Sequence, residues 1–124
     1  MRIYISGKIS NVPQDNLPKF EAAECRLRFI YGPGSELVIP HRLPHYHDKK
    51  WHSFMKVDLR HMLACNQVVV LDDWKKSKGA ISEVLIADLV RIPITTLKGR
   101  EIVRVPLGFW NKLGLLLKVL LNLI

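Results

Sequence analysis

Apolar residues along the chain alternate between two spacings, and the switches between them mark the elements. Residues 2–6, RIYIS, have the short apolar pattern of a strand and stop at Gly7. After a polar loop containing Asn11, Pro13, Asp15 and Asn16, the residues Phe20, Ala23, Leu27 and Ile30 recur at intervals of three and four. That interval predicts one helix face turned inward. Tyr31-Gly32-Pro33-Gly34 ends the helix, and residues 36–39, ELVI, form a second strand closed by Pro40. Residues 41–50 are polar and read as loop. Trp51, Phe54, Met55, Leu59, Met62 and Leu63 then give a second helix face. The run 67–71, QVVVL, is apolar throughout, as expected of a strand covered on both sides. A third helix is expected from about Gly79 to Val90, with Ile81, Val84, Leu85 and Leu89 inward. Residues 92–97, IPITTL, give a further strand, whose Pro93 suits a strand start or an edge.

Strands alternating with helices imply a parallel sheet with helices on both faces and right-handed crossovers. The expected fold class is therefore α/β: a three-layer Rossmann- or flavodoxin-like sandwich around a four- to five-stranded, mainly parallel sheet. Residues 1–104 form the expected domain, and residues 105–124 an apolar C-terminal helix. On a helix, Asn111, Lys118 and Asn122 make one narrow polar stripe with Lys112 near it, and almost every other position is apolar. Such a helix needs cover. The favoured reading is packing on the domain or on a partner subunit; contact with a membrane surface, with Trp110 at the boundary, is the alternative.

Composition narrows the class further. A chain of 124 residues, 48% hydrophobic and 24% charged, suits one ordered domain. Cys25 and Cys65 form no redox or metal motif, and two buried free thiols are expected. The amino terminus enters a strand directly, which argues for a cytoplasmic protein. The net charge of +8 attracts anions, but the basic residues are scattered, without a basic arm or helix. A small phosphorylated ligand fits that pattern better than a nucleic-acid polymer. All five histidines fall between residues 41 and 61 without an established zinc-ligand spacing, and no metal is expected. His45 and His47 flank Tyr46 in a loop that should border the pocket; Tyr46 and Trp51 are candidates for stacking on a base.

In a doubly wound sheet, ligands bind beyond the carboxyl ends of the first and third strands. Tyr4, Ser6, Gly7 and Lys8 should there approach Asp72, Ser77, Gly79 and Glu83. The group combines a phenol, hydroxyls, loop amides, a lysine and carboxylates. Loop amides at a helix start hold phosphate, and a carboxylate attacks a sugar carbon as its substituent leaves. Trp74 is open between a core lid and a pocket wall. On position and composition alone, an ordinary surface helix glutamate is the better reading of Glu83.

The motifs extend that reading. Tyr4-Ile5-Ser6-Gly7, Ile39-Pro40, Trp51-His52-Ser53-Phe54-Met55, Asp58-Leu59, Cys65-Asn66 and the run from Trp74 to Glu83 occur in one order over residues 2–97. Together they resemble the nucleoside 2-deoxyribosyltransferase-like superfamily, most of all its short bacterial and phage members. Ser77, Gly79 and Glu83 also match the S-x-G-x-x-x-E pattern of 2-deoxynucleoside 5-monophosphate N-glycosidases. The resemblance implies that Glu83 is the nucleophile, that Asp58 delivers a proton to the departing base, and that Tyr4 orients Glu83. It places Ser6, Gly7, Lys8, Ser77 and Gly79 at sugar or phosphate positions, and it implies a nucleoside or nucleotide ligand, no cofactor, and a homodimer or larger assembly. A pocket that binds a nucleotide or nucleotide-sugar without turnover is the second reading. Two positions depart from the pattern: Asn66 stands where an aspartate is usual, and Asp73 where proline or glycine is usual.

Overall fold

The structure, a computed structural model, describes residues 1–122. Nine main elements follow in chain order: β1 (Arg2–Ser6), α1 (Leu17–Tyr31), β2 (Glu36–Val38), α2 (Trp51–Met62), β3 (Gln67–Val70), α3 (Lys78–Leu89), β4 (Ile94–Lys98), β5 (Glu101–Arg104) and α4 (Phe109–Leu120). Short 3-10 turns at Pro13–Asn16, Pro40–Arg42 and Trp74–Lys76 lead into or out of the loops. The sheet order is β2-β1-β3-β4-β5. The first four strands are parallel, and β5 runs antiparallel to β4. The Rossmann-like α/β sandwich expected from the sequence is the observed fold. The antiparallel β5 was not visible as a separate strand, because its residues, EIVR, carry only two apolar positions at an edge.

Period-two alternation decides which side chain reaches which layer. In β1, Ile3 and Ile5 join Val69 and Leu71 beneath Phe20, Ala23 and Leu27 of α1. Tyr4 faces the other layer, with Val68 and Val70, against Met62, Ile81, Val84 and Ala87 of α2 and α3. Ser6, two residues on from Tyr4, shares that direction.

Several expected inward positions are exposed. Leu89 is 79% exposed, because the buried face of α3 is Ala80, Glu83, Val84 and Ala87, and Leu89 lies across the helix from Ala87. Ile30 and Leu63 sit at the ends of α1 and α2 and are partly in solvent. Tyr31 supplies the last contact of α1 instead, donating its hydroxyl to Gln67 Oε1 at 3.1 Å. Cys65 is buried, but Cys25 lies on the outer face of α1 and is exposed.

Helix α4 packs on α3. Leu115 enters the core, with Val119, Val105 and Leu107 half-buried around it, and Lys112 Nζ pairs with Asp88 at 3.0 Å. Within one chain the helix nonetheless leaves Phe109, Trp110, Leu116, Leu117 and Leu120 exposed. The last two residues of the expected C-terminal helix, 123–124, lie outside the described residues. Among the described residues, no helix is long and apolar enough to cross a membrane.

Gly7, at the end of β1, has a packing reason to be glycine. A β-carbon there would lie 2.7 to 3.0 Å from the Cδ1, Cγ and Cβ atoms of Leu71. Three contacts along one buried side chain leave little room to yield. Gly7→Ala is expected to cost about 1–3 kcal/mol by overpacking, read as a lower urea midpoint at unchanged slope. An unchanged midpoint would mean that Leu71 yields freely.

Candidate active site

The β1–β3 boundary is the switch point of this strand order, and a cleft of about 510 Å³ opens beyond the carboxyl ends of these strands. Its floor is built by the periodicities described above. Strand alternation sends Tyr4 and Ser6 toward α3, and the inward face of α3 sends Glu83 to meet them. The Tyr4 hydroxyl donates to Glu83 Oε2, and the Ser6 hydroxyl donates to Glu83 Oε1 at 3.0 Å. Asp58 comes from the inward face of α2, with Met55 and Met62 one turn to either side. Both carboxyl groups line the cleft and both are buried, with Asp58 7% and Glu83 4% exposed.

Burial sets their protonation. It raises Asp58 to about 7. It raises Glu83 to about 8, with the charge of Asp58 adding to the shift and the Tyr4 and Ser6 hydroxyls opposing it. Tyr4 is itself raised, first by burial and then by the two carboxylates, so it remains a donor. Near neutral pH the pair therefore retains at least one proton. Glu83 is the harder of the two to ionise. Its two hydroxyl donors nevertheless favour its anion, while Asp58 Oδ1 is sealed from solvent with no hydrogen-bond partner. A ligand that offers Asp58 an acceptor and Glu83 a developing positive charge would move the proton to Asp58.

The remaining walls are loops. Ser77 caps α3 by accepting the Ala80 amide at 3.1 Å, which brings Ser77 and Gly79 to the rim. The opposite wall follows β1, with Ile9, Ser10, Gln14, Asp15 and Leu17. In it Asn11, Gln14, Asp15 and Asn16 all hold left-handed backbone, with φ of 53 to 62°. Non-glycine residues adopt this at a cost of about 1–2 kcal/mol each, so other contacts must hold them. Asp73 provides several: it accepts from the Lys8 amide and Asn16 Nδ2, both at 3.0 Å, and pairs with Lys19. Its replacement of proline or glycine thus anchors a cleft wall from behind. His41 links the wall to the next loop through Asp15 O at 2.7 Å. Asn66, the other departure, accepts the Arg2 amide at 2.8 Å at the start of β1, at the opposite end of the strand.

Of the residues expected at the site, Gly7, Asp58, Ser77, Gly79 and Glu83 line the cleft, and Tyr4 and Ser6 touch Glu83 from beneath. Three do not line it. Lys8 directs its ammonium to Lys76 O at 3.2 Å. Asp72 has its side chain 80% exposed and pairs with Lys19. Trp74 is buried in the core and borders a second groove beside α4. One residue separates Asp72 from the end of β3 and three separate Trp74, and the turn at residues 72–73 with the 3-10 turn after it leads the chain behind the cleft. Tyr46 is 95% exposed and does not line it; Trp51 does, half-exposed, with Lys78 Nζ 4.2 Å above its ring. Phe54 and Met55 complete the wall formed by α2. The sequence marks them as an inward helix face and part of a motif, and such a face does not reveal where its cover stops. Among the described residues, no group of three or more His, Cys, Asp or Glu side chains is arranged to hold a metal ion.

The fold matches a class already seen in solved structures. A 2-deoxyribosyltransferase from the psychrotolerant bacterium Bacillus psychrosaccharolyticus superposes with a TM-score of 0.59 at 18% identity, over 90% of this chain and 80% of that one. In sequence, the chain belongs to the family described as Domain of unknown function (DUF4406), whose model matches residues 1–96. No curated protein sequence matches.

The raised carboxyl groups make a prediction independent of function. A group held protonated in the fold but ionised in the unfolded chain lowers stability as pH rises from its ordinary value, 4.5 for Glu83, to about 8. Glu83→Gln removes that ionisation and keeps the shape. It is expected to raise stability at pH 8.5 by on the order of 2 kcal/mol and to do little at pH 4.5, measured by urea unfolding. The same gain at both pH values would remove the ionisation argument.

Proposed function

We propose that the protein cleaves the N-glycosidic bond of a 2-deoxynucleoside or its 5-monophosphate, as an N-glycosidase or deoxyribosyltransferase acting through a glutamyl-enzyme intermediate. The observation that carries this reading is the buried Glu83 carboxyl, held by the hydroxyls of Tyr4 and Ser6 in a cleft that it shares with Asp58. The likeness in fold to a 2-deoxyribosyltransferase supports the substrate class, and the +8 charge suits a phosphorylated ligand.

With substrate bound, one proton resides on Asp58 and Glu83 is ionised. A Glu83 oxygen bonds to the anomeric carbon as the carbon–nitrogen bond breaks. The bonding pair moves to the base nitrogen, which takes the Asp58 proton. A 2-deoxyribosyl ester on Glu83 and a neutral free base result. Water then attacks the same carbon, the ester bond breaks, and Asp58 recovers a proton from that water; a second base attacking instead gives a new nucleoside. Configuration is retained over the two displacements. Tyr4 and Ser6 hold both carboxylate oxygens, so the attacking oxygen is aimed before substrate arrives. Ser77 and Gly79, at the start of α3, lie where a sugar hydroxyl or a 5-phosphate would meet free helix amides.

Each deoxynucleoside and its monophosphate is to be incubated with the protein and followed for free base by chromatography, with and without a second base. Release is expected with at least one substrate. Glu83→Gln should lower it by at least about a thousandfold, as for loss of a nucleophile. Gly79→Ala is the complementary test. A β-carbon there meets Met55 Sδ at 3.5 Å and Trp51 Nε1 at 3.8 Å, ordinary contacts on the cleft wall. The fold should tolerate it, gaining up to about 1 kcal/mol of helix propensity, while KM rises severalfold. Base release that survives Glu83→Gln would refute the mechanism.

A further inference from the structure

The loop between β2 and α2 carries a directed chain of hydrogen bonds that ends beside Asp58. A backbone amide only donates, so His47 Nδ1, 2.9 Å from the Lys49 amide, is an acceptor. In a neutral ring the proton then lies on His47 Nε2, which faces His45 Nδ1 at 3.0 Å. His45 Nδ1 accepts it, and His45 carries its own proton on Nε2. That N–H meets the Pro40 carbonyl, a pure acceptor, at 3.0 Å. Every polar atom of the two rings is thereby assigned, and both ends are fixed by the main chain. The rings are locked in place as well: Phe54 of α2 packs against both, with centroid distances of 4.8 Å to His45 and 4.5 Å to His47.

His45 Nε2 also lies 3.2 Å from Asp58 Oδ1. The Pro40 carbonyl takes the better-aligned share of its proton, and Oδ1 remains sealed and without a hydrogen-bond partner. We infer that His45 is a positioning residue for Asp58: its neutral Nε2–H, fixed by His47, faces Oδ1 and leaves the acid proton on Oδ2 for delivery to the departing base. A protonated oxygen at Oδ1 would set its O–H against the N–H of His45. The arrangement also keeps the neighbour neutral, since a second proton on either ring would oppose two donors, at His47 Nε2 or at the Lys49 amide. A neutral imidazole orients Asp58 without drawing it into an ion pair. Burial lowers the basicity of His45 in the same sense, against the opposing pull of the Pro40 carbonyl and with His47, Lys49 and His61 adding to it.

This role rests on the proposed glycosyl transfer, and two measurements on the full chain separate their failures. Long-range proton–nitrogen NMR at pH 7.5 should find both His45 and His47 as Nε2–H tautomers, and His47→Phe, which leaves only the Pro40 carbonyl to hold the tautomer, should weaken but not reverse the Nε2–H preference of His45. An Nδ1–H tautomer at His45 in the wild type would overturn the inference without any turnover being needed. The second measurement compares leaving groups. With a substrate identified by base release, His45→Phe, which keeps the ring packing, should lower kcat by about ten- to a hundredfold, part of a general acid's usual contribution. With 4-nitrophenyl 2-deoxyriboside, whose leaving group needs little protonation, the loss should be under about threefold. Glu83→Gln should abolish both. Equal losses on the two substrates would make His45 merely structural and overturn this role alone. Wild-type protein inactive on all substrates would overturn the glycosyl-transfer reading, and this role with it.

Discussion

The contact between Tyr4 and Glu83 is the constraint on which the rest of the site depends. It joins the central strand β1 to the inward face of α3, and it places an ionisable carboxyl where the core would otherwise hold a Leu or Ile. Such a group loses several kcal/mol if ionised in apolar surroundings without donors. Tyr4 and Ser6 supply two donors, and the open cleft supplies the missing direction of solvation. The donors oppose the effect of burial but do not cancel it, since Glu83 still rises to about 8. The floor of the cleft is therefore held short of its charged state.

The wall after β1 is built from unfavourable backbone and is held by contacts of its own. Four left-handed residues shape the wall after β1, and they are fastened to Asp73, which lies just past β3. The wall from Pro40 onward is fastened through His41 to Asp15 and through His45 to Pro40. Each wall is thus tied to a neighbouring loop rather than to the sheet, while the sheet fixes only the floor. Asp73 is a departure from the motif that the sequence resembles, and its carboxylate has a structural use outside the cleft.

Much of this was legible because it depends on period. The alternation in β1 separates Tyr4 and Ser6 from Ile3 and Ile5, and the apolar run of β3 marks the strand beside it. Spacing placed Asp58 and Glu83 on their helices, but did not settle that their faces point inward. That required the motif set, since an exposed glutamate and a buried one look alike in a helix pattern. Other residues failed for a local reason. Asp72 and Trp74 follow the strand by two and four positions, yet the turn at residues 72–73 and the 3-10 turn after it lead them away from the cleft. Ile30 and Leu89 are apolar at nearly correct spacing, but Ile30 falls at the end of α1 and Leu89 across α3 from its buried face. The direction of the histidine chain was not readable at all, because it depends on loop atoms that have no period. Helix α4 is a different case: its apolar pattern is plain, and a single chain covers only the side around Leu115.

The most direct measurement is the mass of the protein quenched with acid during turnover of the substrate that releases base. A covalent 2-deoxyribosyl adduct, with its phosphate if the substrate carried one, should appear on the peptide containing Glu83 and be absent from Glu83→Gln. Turnover with no adduct under single-turnover conditions, or an adduct on another residue, would contradict the account.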